Sequence, residues 1–229
     1  MRDYHIGVCN YKRKAIANDY DFWHINSGRE GVGKSTFSLE DAIYTSWEDI
    51  KKNWKERITY DPEDFIAMTE VSPPGATIIM DEGGECWFLR DFQTQANKAL
   101  AKVSMQIRER NFNIIINVPN IWYLDKIAIY RHSLWTMIKA RGLKRGYTEF
   151  YVPEWKIFEK NPIPFWEIGV DHIFPKLPKR LYDEYKILKS EKASERLGKY
   201  LDQIQKEKEH GTFNKDNRNM NDLIKEAHS

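Results

Sequence analysis

The chain has 229 residues, with 36 Lys+Arg against 34 Asp+Glu and a net charge of +2. That length suits one medium domain with an appendage, and 14% aromatic residues exclude a disordered chain despite 31% charge. Two cysteines, Cys9 and Cys86, exclude a disulfide scaffold and a four-cysteine zinc site. No run approaches the ~18 apolar residues of a membrane span, and the N-terminus MRDYHIGVCNYKRK has no apolar signal core, so a soluble cytoplasmic protein is expected.

Residues 1–20 show no clear period and read as an irregular arm or short helix. DFWHIN (21–26) reads as a short strand that runs into SGREGVGKST, and residues 34–46 read as a helix. Trp47, Ile50 and Trp54 have helical spacing, which predicts a second helix over 47–57. ITYD (58–61) suits a short strand; Pro62 then opens a helix with Glu63 and Asp64 in its first turn, and VSPPG (71–75) breaks the pattern.

ATIIM (76–80), ending at Asp81, and NIIINV (113–118), closed by Pro119, are apolar runs of the kind that form strands buried on both faces. Between them, residues 92–110 read as a helix with Leu100, Val103 and Ile107 on one face. Residues 121–129 suit a short helix. SLWTMIKA (133–140) and YTEFYVPEW (147–155) form a predicted hairpin around RGLKRG, and 165–175 adds a small edge strand. From Pro178 the composition changes. Leu181, Tyr185, Leu188, Leu197, Leu201 and Ile204 recur at helical spacing among charges, which predicts a long amphipathic helix with Gly198 as a weak point. The expected organisation is an arm over 1–20, a core domain over 21–177, the helix over 178–210 and a polar tail over 211–229. Strands alternating with helices imply an α/β fold with a mostly parallel sheet.

The strongest chemical signal is Gly28-Arg29-Glu30-Gly31-Val32-Gly33-Lys34-Ser35, which fits G-x-x-x-x-G-K-[ST] at every fixed position. The glycines let the backbone curl into an anion nest, and the following helix offers its positive N-terminus to phosphate. Lys34 can reach the β- and γ-phosphates of ATP, the Ser35 hydroxyl can ligate Mg²⁺, and Thr36 is placed for the α-phosphate. A chance match in a glycine-containing turn is the bland alternative; a strand before and a helix after argue against it.

Asp81-Glu82 follows the ATIIM strand. A carboxylate at that strand end lies beside the phosphate loop in doubly wound sheets, so Asp81 would hold the Mg²⁺ shell and Glu82 would polarise the attacking water. Asn117, at the end of the next strand, is placed either to sense the γ-phosphate or to cap the turn before Pro119. An arginine reaching a neighbour's nucleotide would stabilise the transition state; Arg131 leads, with Arg108, Arg110 and Arg90 behind it.

The small net charge conceals a pattern. Residues 40–91 sum to −8 and residues 98–145 to +8. Solvated faces, a nucleic-acid surface, or two faces docking in a ring all fit. The basic stripe Lys98, Lys102, Arg108, Arg110, Lys139, Arg141, Lys144 and Arg145 could meet a phosphodiester backbone, and Trp87 and Phe88 could stack on bases or pack on a neighbour.

With Walker A at Gly28–Ser35, Asp81-Glu82 after a buried strand, Asn117 on the next and Arg131 before a further one, residues 20–155 resemble the additional-strand, catalytic-glutamate P-loop ATPases. Within them, the chain resembles the FtsK/HerA group, with viral genome-packaging ATPases and Zot-like proteins nearest in layout. The resemblance implies a RecA-like fold with a β-hairpin extension and a long C-terminal helix. It implies Mg²⁺-dependent ATP hydrolysis, a homo-oligomeric ring and double-stranded DNA as the moved substrate, in host cytoplasm or virion. An ATP-gated assembly or secretion factor of Zot type is the alternative. The C-terminal helix would cover a sheet edge or meet a portal, capsid or membrane partner. Asn117 departs from the Gln usual in FtsK-like proteins.

Overall fold

The computed structural model describes residues 2–81, 95–153, 165–167, 172–174 and 176–209. Glu82, Cys86, Trp87, Phe88 and Arg90 lie outside them. The chain divides into two compact units, Met1–Pro178 and Lys179–Ser229.

The first unit opens with α1 (Arg2–Ala17), a 16-residue helix, so of the two expectations for this segment, an irregular arm or a short helix, the structure takes the helix and makes it longer. The physical reason is that His5, Cys9 and Lys12, at helical spacing, are all buried; the inward stripe is polar, so it carries no apolar period. Strand β1 (Phe22–Ser27) follows, then the glycine-rich loop and α2 (Lys34–Thr45). Helix α3 (Trp47–Asn53) ends four residues before the expected 57. Arg57 grips Asp49 through Nε and Nη2 at 2.7 and 2.8 Å, which folds the chain back into the two-residue β2 (Ile58–Thr59).

Asp61 caps α4 (Pro62–Val71), its carboxylate accepting from Asp64 N at 2.8 Å with Pro62 in the first turn. Then come β3 (Thr77–Met80), α5 (Gln95–Gln106) with a 3₁₀ turn at Ile107–Arg110, and β4 (Asn113–Val118). The expected helix near 121–129 is a 3₁₀ turn, Ile121–Tyr123, and α6 (Lys126–Arg131). The hairpin is β5 (Leu134–Arg141) and β6 (Lys144–Pro153); the single expected edge strand is two, β7 (Phe165–Glu167) and β8 (His172–Ile173), both antiparallel to β6.

The strand order is β2-β3-β4-β1-β5-β6-β7, with β8 also on β6. The first five strands are parallel. Strand β4 lies between β1 and β3, so the loop after β1 and Asp81 after β3 emerge at the same, C-terminal edge. This is a RecA-like, mostly parallel sheet with an antiparallel hairpin extension.

The two faces of the sheet differ. Trp23, Ile25, Ile78, Met80, Ile114, Ile116 and Val118 pack with Phe65, Leu100 and Ala128 in an apolar core. The face toward α2 is mixed: beside the apolar group of Phe22, Phe37, Leu134, Ile138 and Phe150, the polar residues His24, Asn26, Thr77, Asn113, Asn117 and Thr136 are all buried. Each of these polar residues needs a partner, since an unpaired buried polar group costs about 1–3 kcal/mol. Asn113 Nδ2 donates to Thr77 Oγ1 at 3.0 Å, and His24 Nε2 meets Thr136 Oγ1 at 2.6 Å.

An ionic group ties α1 to this face. The Lys12 ammonium stands 2.5 Å from Asp41 Oδ2 and 2.8 Å from His24 Nδ1. Burial opposes ionisation of Asp41, but Lys12 and His24 outweigh it and hold the carboxyl well below the usual range. Burial and the Lys12 charge push the His24 imidazole down to about 4. His5, Cys9 and Asp41 bring ligand atoms within 4.8 Å of one another. Burial and Asp41 push the Cys9 thiol up, and Lys12 already neutralises Asp41, so the group reads as an ionic lock.

The second unit contains α7 (Lys179–Glu209), one continuous 31-residue helix that passes through Gly198 without a break. No described helix is long and apolar enough to cross a membrane.

Candidate nucleotide site

The loop between β1 and α2 is built on backbone that only glycine tolerates. Gly28, Gly31 and Gly33 have φ of 150°, 73° and 105°. A methyl group at Gly28 would lie 2.2 Å from the Ile138 carbonyl oxygen, and one at Gly33 would lie 2.9 Å from the Phe174 ring. Val32 is the loop's anchor, buried with Phe37, Ile138, Phe150 and Phe174. Arg29 and Glu30 are exposed, and Thr36 is half-buried in the first turn of α2. Helix α2 starts without a side-chain cap, which leaves its first N–H groups to a ligand.

The Lys34 ammonium donates to the carbonyls of Gly28 and Arg29 at 2.6 and 3.0 Å, so it spans the loop that the phosphates would enter. The Ser35 hydroxyl donates to Asp81 Oδ1 at 2.7 Å. Asp81 is buried and also accepts from Asn117 Nδ2 at 3.0 Å. Asn117 Oδ1 is 2.6 Å from Ser38 Oγ, which in turn accepts from Asn26 Nδ2 at 2.9 Å. The network thus runs from α2 through β1 and β4 to the end of β3. It locks the Asp81 carboxylate beside Ser35.

These oxygens suit Mg²⁺. The ion takes hard oxygen ligands at about 2.0–2.1 Å in octahedral geometry, which places adjacent ligands about 2.9 Å apart. Ser35 Oγ and Asp81 Oδ1, at 2.7 Å, already sit near that spacing.

Ser35, Asp81 and Asn117 are therefore brought together with the loop. Arg131 is not: it lies before β5, at the edge of the sheet opposite the loop, paired with Asp21 and stacked 4.9 Å over Trp23. Arg108 and Arg110, just before β4, are exposed at that same edge. The Ser38–Asn26 link was not foreseen. Both are ordinary polar residues inside a strand and a helix, and only the strand order reveals that they meet.

A phosphate loop opening an uncapped helix, an Asp-ended strand, and one parallel strand inserted between them define an additional-strand P-loop NTPase fold. The chain belongs to the zonular occludens toxin (Zot) family, whose model matches residues 46–191. The N-terminal domain of zonular occludens toxin from Neisseria meningitidis is 14% identical, with 72% of this chain and 98% of that one covered at a TM-score of 0.40. The DNA-packaging ATPase B204 from Sulfolobus turreted icosahedral virus is 12% identical over 58% and 93% of the two chains, TM-score 0.41. A KaiC-like protein from Pyrococcus horikoshii is 8% identical over 65% and 85%, TM-score 0.33. No curated protein gives a significant sequence match.

Proposed function

We propose that the protein is a Mg²⁺-dependent ATP hydrolase that works as an oligomeric motor on double-stranded DNA. The observation that carries the hydrolase reading is the Ser35–Asp81 hydrogen bond, with Asn117 on the same carboxylate. It joins a phosphate loop to a buried metal-binding carboxylate. When bound, Mg²⁺ supplies charge neutralisation on the β- and γ-phosphates. Lys34 leaves the loop carbonyls to meet the phosphates, the α2 N-terminus holds them, Asn117 fixes Asp81 and orients toward the γ-phosphate, and Glu82 takes a proton from the attacking water. In a ring, an arginine of a neighbouring subunit completes the site. Arg131, Arg108 and Arg110 stand at the sheet edge away from their own loop, so any of them would act only in a neighbour's site, Arg131 by leaving its pairing with Asp21.

Exposed Lys98 and Lys102 on α5 and Arg141 and Lys144 at the hairpin tip support contact with a phosphodiester backbone. Family membership favours a second reading, an ATP-gated assembly or secretion factor acting on protein partners. Exposed Leu197 and Leu201 on α7 would then suit a partner helix. Phosphate release measured with and without duplex DNA, over a salt series, separates the two. The motor predicts stimulation that fades steeply with salt; a rate indifferent to DNA but raised by a protein partner assigns the second.

A further inference from the structure

We propose that Arg145, on the β5–β6 hairpin, is a phosphate-binding residue of its own chain's nucleotide site. The inference rests on the nucleotide-site reading above and adds a residue outside every motif.

Three features bring the hairpin to the loop. Ala140 pairs with Arg145 and Lys139 with Tyr147, so Gly146 is an extra residue that bends β6 near the turn. Gly146 has φ of 93°, and its carbonyl accepts from Phe174 N at 3.2 Å. Phe174 packs against both Gly146 and Gly33, so one ring fixes the bend of the hairpin relative to the phosphate loop. The result is that Arg145 Nη1 lies 3.9 Å from the position a methyl group on Gly31 would take, over the apex of the loop.

The electrostatics of this placement call for an anion. The positive end of α2, the Lys34 ammonium and the Arg145 guanidinium converge on one loop. Two other hairpin cations are engaged, Lys139 with Glu149 and Arg141 stacked 4.8 Å over Tyr147, while Lys144 is exposed at the turn. Among the described residues Arg145 has no carboxylate partner, and it is exposed. A guanidinium held beside two other positive groups gains most from a ligand with several negative charges, and its fork matches phosphate oxygens. Gly31 lies at the turn where the loop cradles the phosphates beyond the α-phosphate, so the ligand class is a nucleoside di- or triphosphate.

The test is titration calorimetry of the full chain with ATP, ADP and AMP, comparing wild type, Arg145→Ala, Arg145→Lys and Lys34→Ala. Arg145→Ala should weaken ATP and ADP about tenfold or more while leaving AMP within about twofold. Arg145→Lys should fall between, because it keeps the charge and loses the fork. The melting temperature of Arg145→Ala should match wild type, since the side chain is exposed. Wild-type ATP affinity in Arg145→Ala overturns the assignment, as does an equal loss for AMP. Folded wild type that binds no ATP overturns the nucleotide-site reading itself, and this inference falls with it.

Discussion

Replacing Asp81 by Asn separates the stability of the site from its chemistry. Asp81 is buried, and its Oδ1 accepts from Ser35 at 2.7 Å and from Asn117 at 3.0 Å. An Asn side chain offers the same oxygen, so both hydrogen bonds persist. What is removed is a charge. A buried carboxylate carries a desolvation penalty of several kcal/mol, offset here by two hydrogen bonds of about 1.5–3 kcal/mol each to a charged acceptor. The terms nearly cancel, so the melting temperature of Asp81→Asn without ligand should lie within a few degrees of wild type. With Mg²⁺-ATP the two proteins should diverge. Ligand at 100 times its dissociation constant stabilises by about 2.7 kcal/mol, which at roughly 2–4 °C per kcal/mol raises the wild-type melting temperature by about 5–10 °C. Asp81→Asn should lose most of that rise, and magnesium should no longer improve ATP binding. Thermal denaturation with ATP, in magnesium and in EDTA, reads both quantities. A variant that keeps the full magnesium-dependent rise refutes the role given to Asp81.

Two further outcomes follow from the loop and the buried lock. Gly28→Ala should abolish nucleotide binding in calorimetry and destabilise the fold by about 1–3 kcal/mol, because its methyl group would lie 2.2 Å from the Ile138 carbonyl; Gly198→Ala, with nothing within 4 Å, should instead stabilise α7 by up to about 1 kcal/mol. The pH dependence follows from His24, whose folded-state pKa is lowered to about 4 from its ordinary 6.5. The unfolded chain therefore binds a proton that the fold refuses. The stability from neutral His24 is complete above about 6.5 and is lost as pH falls toward 4, by on the order of 3 kcal/mol. Burial lowers His132 in the same direction. Denaturant unfolding between pH 7 and 4 should show this limb, and His24→Gln should flatten it; an unchanged limb in that variant refutes the assignment.

The phosphate loop was legible because its chemistry is local. Three glycines, a lysine and a serine at fixed spacing fold the same way wherever a strand precedes and a helix follows. The ATIIM and NIIINV strands were legible for a related reason: burial on both faces leaves an apolar run. Within NIIINV, however, Asn113 and Asn117 share the α2-facing side with Ile115, while Ile114, Ile116 and Val118 enter the apolar core, a division that the run conceals. Over residues 1–20 the sequence leaves an arm and a short helix open, because the buried stripe of α1, His5, Cys9 and Lys12, is stabilised by ion pairing and hydrogen bonding, and hydrophobic periodicity detects neither. The hairpin was foreseen but its aim was not. Whether Arg145 points at the loop or at solvent depends on the extra residue Gly146 and on Phe174, 28 positions further on, and no local pattern encodes that contact.

The central claim is that this phosphate loop and the carboxylates after β3 hydrolyse ATP. Its most direct test is phosphate release by the purified full chain, in magnesium and in EDTA, for wild type and Glu82→Gln. The account predicts magnesium-dependent release by wild type, with Glu82→Gln binding ATP equally well yet turning over slower by about 10²-fold or more. Turnover at the wild-type rate in Glu82→Gln, or transfer of the γ-phosphate to an acceptor other than water, would contradict it.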